Sequence, residues 1–122
     1  MKLKKIISNL SLEQKVSLLS GFDNWHTPDI KQYGIPKIKM SDGPNGVRGD
    51  SSTKQTSACF PSPILLGATW NEKLIKKIGS ATGEEALFKD VDVLLAPTIN
   101  LHRHPLGGRH FECYSEDPVL TS

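Results

Sequence analysis

The chain has 122 residues, 37% of them hydrophobic and 23% charged, a composition that excludes intrinsic disorder and is long enough for one ordinary domain. Its 15 basic and 13 acidic side chains leave a formal charge of +2, without the clustered basic excess that a nucleic-acid partner requires. Two cysteines are too few for a disulfide framework, no run approaches the roughly 20 apolar residues of a membrane span, and the N-terminus lacks the apolar core of a secretory signal; a soluble, cytoplasmic chain with no membrane partner is expected.

Lys2, Lys4 and Lys5 read as a solvated N-terminus. Ser11 and Gln14 have capping-box spacing, and Leu12, Val16 and Leu19 recur at helical intervals until Gly21, which predicts a short amphipathic helix with Leu10 as its hydrophobic staple. Phe22 to Pro28 has no periodicity and mixes aromatic rings with hydrogen-bonding groups. Such a loop suits a sugar, and it equally suits Phe22 and Trp25 as plugs of a core. Tyr33-Gly34-Ile35-Pro36 predicts a turn, and Ile38-Lys39-Met40 a short strand running into Ser41-Asp42-Gly43-Pro44. A carboxylate at the C-terminal edge of a strand is where α/β folds place their chemistry, so Asp42 is a candidate site residue, with an Asx-turn acceptor as its structural alternative and Arg48 as a possible partner.

From Gly43 to Phe60 the chain is rich in Gly, Ser, Asn and Thr, and the helix of a parallel crossover is missing there. Ile64 to Ala68 reads as a buried strand. Asn71 caps a helix with Leu74, Ile75, Ile78, Ala81 and Ala86 on one stripe; Lys73, Lys76, Lys77, Glu84 and Glu85 read as solvated surface. Gly79 and Gly83 within it predict close packing of a neighbour. Val91 to Ala96 is an apolar strand of the kind covered on both faces, completing a right-handed βαβ unit with the strand at 64–68.

Past this strand come Asn100, His102, His104 and the stretch Gly107-Gly108-Arg109-His110-Phe111-Glu112-Cys113, where Arg109 offers a planar fork of donors and Glu112, Glu116 and Asp117 offer it braces. The two glycines allow positive φ or close approach to a ligand. The histidines and Cys113 match neither standard zinc spacing, so no metal is expected; there is no P-loop, no GxGxxG and no Gly-x-Ser-x-Gly elbow, and no cofactor is called for. Cys59 and Cys113 are expected as reduced, semi-buried thiols. What remains is Asp42 at one strand end and Arg109 in the loop after another. A carboxylate that accepts from vicinal hydroxyls beside an arginine that donates is how a protein holds a sugar ring.

Three blocks carry a resemblance: Ser41-Asp42-Gly43-Pro44-Asn45-Gly46-Val47-Arg48-Gly49, Ala58-Cys59-Phe60-Pro61-Ser62, and Leu95-Ala96-Pro97-Thr98-Ile99-Asn100 through Asp117-Pro118. With Gly21 to Thr27 they resemble the N-terminal region of the glycoside hydrolase family 3 β-glucosidases over residues 10 to 122. The resemblance implies a (β/α)8 barrel and a retaining hydrolase of terminal β-linked glucose acting through a covalent glycosyl-enzyme. It implies that Asp42 and Arg109 bind the non-reducing sugar, that Trp25 and Arg48 stand near that subsite, and that Glu112 braces Arg109. It also implies what is absent: the family's nucleophile lies in a Ser-Asp-Trp type motif, whereas Ser41-Asp42 here precedes Gly43. A barrel needs about 250 residues. The expectation is therefore an incomplete barrel of about three strands with its first crossover helix missing. It would hold a β-glucoside or oligosaccharide through part of a sugar subsite, with no catalytic pair, and would be completed by the remainder of such an enzyme; a non-catalytic carbohydrate-binding or interaction module is the alternative.

Overall fold

A computed structural model describes residues 2–48 and 55–122. Gly49 of the Ser41–Gly49 block and residues 50–54 of the long loop lie outside the described residues, as does the side chain of Lys2. The chain divides into two compact units, Met1–Met40 and Ser41–Ser122.

In the first unit the lysine-rich start is solvated as expected and is helical: α1 (Lys2–Asn9) exposes Lys4 and Lys5 while Ile6 is half-buried and the following Leu10 is buried. Alternation of lysine with isoleucine and leucine is enough to give the turn an apolar side. The Tyr33 hydroxyl donates to the Asn9 carbonyl at 2.7 Å and holds the end of that helix. The predicted second helix is α2 (Leu12–Ser20), with both halves of its capping box formed: the Gln14 amide donates to Ser11 Oγ at 3.2 Å and the Ser11 amide to Gln14 Oε1 at 3.0 Å. Its apolar stripe has no buried member among the described residues, Leu12, Val16 and Leu19 all being exposed. The predicted turn forms a 3-10 helix over Lys31–Tyr33, closed by an antiparallel bridge between Ile30 and Ile35. Residues 25–27 pair with 38–40, the Thr27 amide donating to Ile38 O at 2.9 Å and the Met40 amide to Trp25 O at 2.7 Å.

The second unit takes over within β1 (Met40–Asp42) and continues through α3 (Pro63–Gly67), α4 (Glu72–Phe88), β2 (Val93–Leu95) and α5 (Pro118–Thr121). β1 and β2 are neighbours in a two-stranded sheet. The α/β class holds, but residues 64–68 are not a strand. Ser62 takes extended dihedrals as N-cap and Pro63 supplies the φ of a first helical residue, so the amides of Leu65 and Leu66 fold back onto Ser62 O at 2.9 and 3.0 Å. A five-residue apolar run cannot be assigned by periodicity, and the Ser-Pro start decides it. Two consequences correct the expected topology: the described residues contain two strands rather than three, and the connection from β1 to β2 carries α4, so the crossover helix is present.

Asn71 caps α4 as predicted, its Oδ1 accepting from the Leu74 amide at 3.1 Å. A side-chain carbon at Gly79 or Gly83 would meet nothing within 4 Å among the described atoms, so the close neighbour expected at these glycines is not supplied by the described residues. β2 is shorter than the apolar run around it and is not covered on both faces here: Val93 is 42% and Leu95 51% exposed, with Leu94 half-buried between them. The core of this unit is Val47, Ala86 and Val91, with Leu94 packed against it.

Candidate functional site

Asp42 ends β1, and the turn after it brings the chain straight back: the Gly46 amide donates to Gly43 O at 3.3 Å and the Arg48 amide to Asp42 O at 2.9 Å. Gly46 is required in this turn, because its φ of +133° is foreign to other residues and a Cβ there would run into the Ala58 carbonyl. The return places Arg48 Nη1 3.9 Å from Asp42 Oδ2, an ion pair open to solvent, with the Asp42 side chain about half exposed (49%). Val47, between these residues, is fully buried, so the turn is anchored by packing while its charged groups face outward.

The loop after β2 begins at the cis Ala96–Pro97 bond and runs to a 3-10 turn over His110–Glu112. Within it Arg109 is gripped from one side. Its Nε–H donates to Glu112 Oε1 at 3.0 Å and an Nη2–H to Glu112 Oε2, a bidentate fork on a carboxylate that is itself 14% exposed. The Glu112 hydrogen bonds and charge hold the Arg109 guanidinium above its ordinary pKa, and Asp42 adds to the same field; in return Arg109 holds the Glu112 carboxyl below its ordinary value. Two of five N–H donors are spent on Glu112, and the Arg109 side chain is 77% exposed, which leaves three donors for other partners.

Other predicted members of the loop are structural. His102 Nε2 donates to the carbonyls of His110 and Cys113 at 2.8 and 3.1 Å, and its ring stacks on His110 with centroids 4.9 Å apart. Gly107 admits that arrangement, since a Cβ at this position would overlap the His110 ring, whereas Gly108 has open space; neither has positive φ. Cys113 is buried but Cys59 is exposed, against the expectation that both would be semi-buried. Gly67 of α3 sits so close to the Tyr114 carbonyl that a Cβ would stand 2.5 Å from it, which seats the loop on that helix. Asn100 and Arg109 line one open cleft of about 930 Å³. Trp25 stands in the first unit, half-buried, its amide donating to Asp23 Oδ1 at 2.8 Å. That hydrogen bond, with a further one from His26, keeps the Asp23 carboxyl below its ordinary pKa.

Sequence reading missed Glu85 and Lys89, the former having been assigned to the solvated face of α4. Lys89 is 2% exposed, and its ammonium donates to Val47 O at 2.8 Å, Ser57 Oγ at 2.7 Å and Glu85 Oε1 at 2.7 Å. Glu85 accepts in addition from the amides of Ala58 at 2.9 Å and Val47 at 3.4 Å. Burial pushes the Glu85 carboxyl up, and the hydrogen bonds from Lys89, Ala58 and Val47 outweigh it, so its pKa lies below the ordinary value. The one signal available was the i, i+4 spacing, which surface pairs share.

Residues 4–122 match the model of the glycosyl hydrolase family 3 N-terminal domain. A β-glucosidase of Rhizobium radiobacter is 56% identical over 119 residues, and β-glucosidase B of Emericella nidulans is 50% identical over 121. These alignments cover 96% and 98% of this chain, which spans about 14% of the length of each relative. Among solved structures, the β-glucosidase of Kluyveromyces marxianus in complex with glucose superposes with a TM-score of 0.85 at 43% identity, over 98% of this chain and 14% of that one. β-Glucosidase 3B of Thermotoga neapolitana in complex with glucose gives 0.82 at 39% identity, over 99% of this chain and 20% of that one. No helix among the described residues is long and apolar enough to cross a membrane. The chain belongs to glycosyl hydrolase family 3 and lies within the N-terminal domain of that family.

Proposed function

We propose that this chain is the opening part of a (β/α)8 barrel and carries one side of the subsite that holds the terminal β-D-glucosyl residue of a β-glucoside. In this reading the Asp42 carboxylate accepts hydrogen bonds from ring hydroxyls, the N–H groups of Arg109 not bound to Glu112 donate to a neighbouring hydroxyl, and Arg48 orients Asp42 through their ion pair. Trp25 belongs to the first unit and enters on the family resemblance alone. The observation that carries the reading is that Arg109, in the loop after β2, lies within electrostatic reach of Asp42, the carboxylate at the end of β1 more than sixty residues earlier. The names of the relatives, and the glucose in two of the similar structures, support a glucoside as the ligand.

Hydrolysis with retention takes two carboxylates about 5 to 5.5 Å apart, one as nucleophile and one as acid and then base. These 122 residues contain no Ser-Asp-Trp, and none of Glu112, Glu116 or Asp117 is assigned either role. The proposal is that the chain binds one face of the sugar, and that bond cleavage needs polypeptide of the kind that makes up the rest of the relatives.

A segment exchange tests it. The chain is placed in the Rhizobium radiobacter β-glucosidase in place of its matching segment, and turnover of 4-nitrophenyl β-D-glucoside is measured. The chimera should be active, and Asp42→Ala or Arg109→Ala should lower kcat/KM about a hundredfold, as expected for lost charge-assisted hydrogen bonds. A folded, active chimera indifferent to both substitutions overturns the site; glucose binding without turnover would favour a non-catalytic module.

A further inference from the structure

The loop that follows Asp42 and carries Arg48 has two described legs, residues 43–48 and 55–60, and both close on the same two side chains, Glu85 of α4 and Lys89 just past its end. On the first leg Val47 donates its amide to Glu85 and lends its carbonyl to Lys89; on the second, Ala58 donates its amide to Glu85 and Ser57 accepts from Lys89. The Ser57 hydroxyl then donates to Arg48 O at 3.1 Å. Arg48 is thereby tied at both backbone groups, to Asp42 through its amide and to the clamp through its carbonyl. The Lys89 ammonium donates to groups on both legs and to Glu85, and no buried side-chain polar atom among the described residues lacks a partner. Such a polar network is not needed merely to hold α4, whose Ala86 already packs with Val47 and Val91. It fixes the loop backbone in one register.

We propose that Glu85 and Lys89 are positioning residues for sugar binding: they lock both legs of the loop, which delivers the Arg48 guanidinium to Asp42 and aims that carboxylate. This rests on the reading of Asp42 as a sugar-binding residue. Neither side chain touches the ligand, so their influence passes through Arg48.

The test is a set of double-substitution cycles in the chimera, with kcat, KM and the thermal midpoint measured for each variant. Glu85→Gln and Lys89→Met should each raise KM for the aryl glucoside about tenfold with kcat little changed, because a misaimed ground-state contact is lost. In an Arg48→Ala background the same substitutions should have no further effect on KM, although the thermal midpoint still falls. Should either clamp variant fail to fold, Ser57→Ala removes a single hydroxyl from the network, lowers the midpoint less than loss of either clamp charge, and should raise KM about threefold, again only when Arg48 is present. A KM unmoved by Ser57→Ala and by whichever clamp variants fold, or moved equally with and without Arg48, overturns the proposal. If Asp42→Ala itself leaves kcat/KM unchanged, the sugar-binding reading falls and this one with it; if Asp42→Ala is damaging while the clamp variants are not, only the clamp falls.

Discussion

At Arg109 and at Lys89 the same pairing of a cation with a glutamate serves opposite ends. Arg109 is open to water, so Glu112 adds little to stability there and mainly restricts where the guanidinium points. Glu112→Ala in the chimera should raise KM for an aryl glucoside roughly tenfold without lowering the thermal midpoint, the loss being one of orientation. Lys89 and Glu85 are 1% and 15% exposed in their side chains, and there removal of one partner strands the other: Glu85→Ala should cost about 3 kcal/mol in a denaturant titration. Because the Glu85 carboxyl titrates below its ordinary value, its contribution is complete above the unfolded pKa of about 4.3 and is lost as pH falls through the lower folded value. Hydrogen exchange should therefore find the Val47 and Ala58 amides protected at pH 5 and losing protection, relative to other core amides, as the pH is lowered through the acid range; in Glu85→Gln that pH dependence should vanish.

The helices show what local chemistry can and cannot announce. Ser11 with Gln14 and Asn71 with Leu74 form as their spacing predicts, since a cap needs only its own turn. The run at 64–68 misleads, because five apolar residues have no period and the deciding residues, Ser62 and Pro63, sit in front of it. The buried clamp on α4 is also illegible, as Glu85 becomes an interior residue only when a loop some thirty residues earlier folds over it. Gly83 gives a test at this scale: with open space at its Cβ position and no left-handed φ, Gly83→Ala should stabilise α4 by about 0.5 to 1 kcal/mol in thermal unfolding of the chimera. A loss of stability would mean that another part of the protein packs on that face.

For the whole molecule, the blocks around Asp42 and Arg109 made the family legible, and the structure adds the electrostatic reach of Asp42 to Arg109 and the clamp of Glu85 and Lys89. How Trp25 relates to them was not legible, because it depends on how separate stretches of chain pack and no local signal encodes that. The 122-residue chain alone should show no turnover of an aryl β-glucoside above its Asp42→Ala variant. It should also bind a hydrophobic dye, given the exposure of Val93 and Leu95 in β2. Each of two exposed guanidinium groups faces a carboxylate, Arg48 that of Asp42 and Arg109 that of Glu112. If these pairs form the sugar subsite proposed above, each charge largely cancels its neighbour's at a distance, and ligand capture by the chimera should be nearly indifferent to ionic strength.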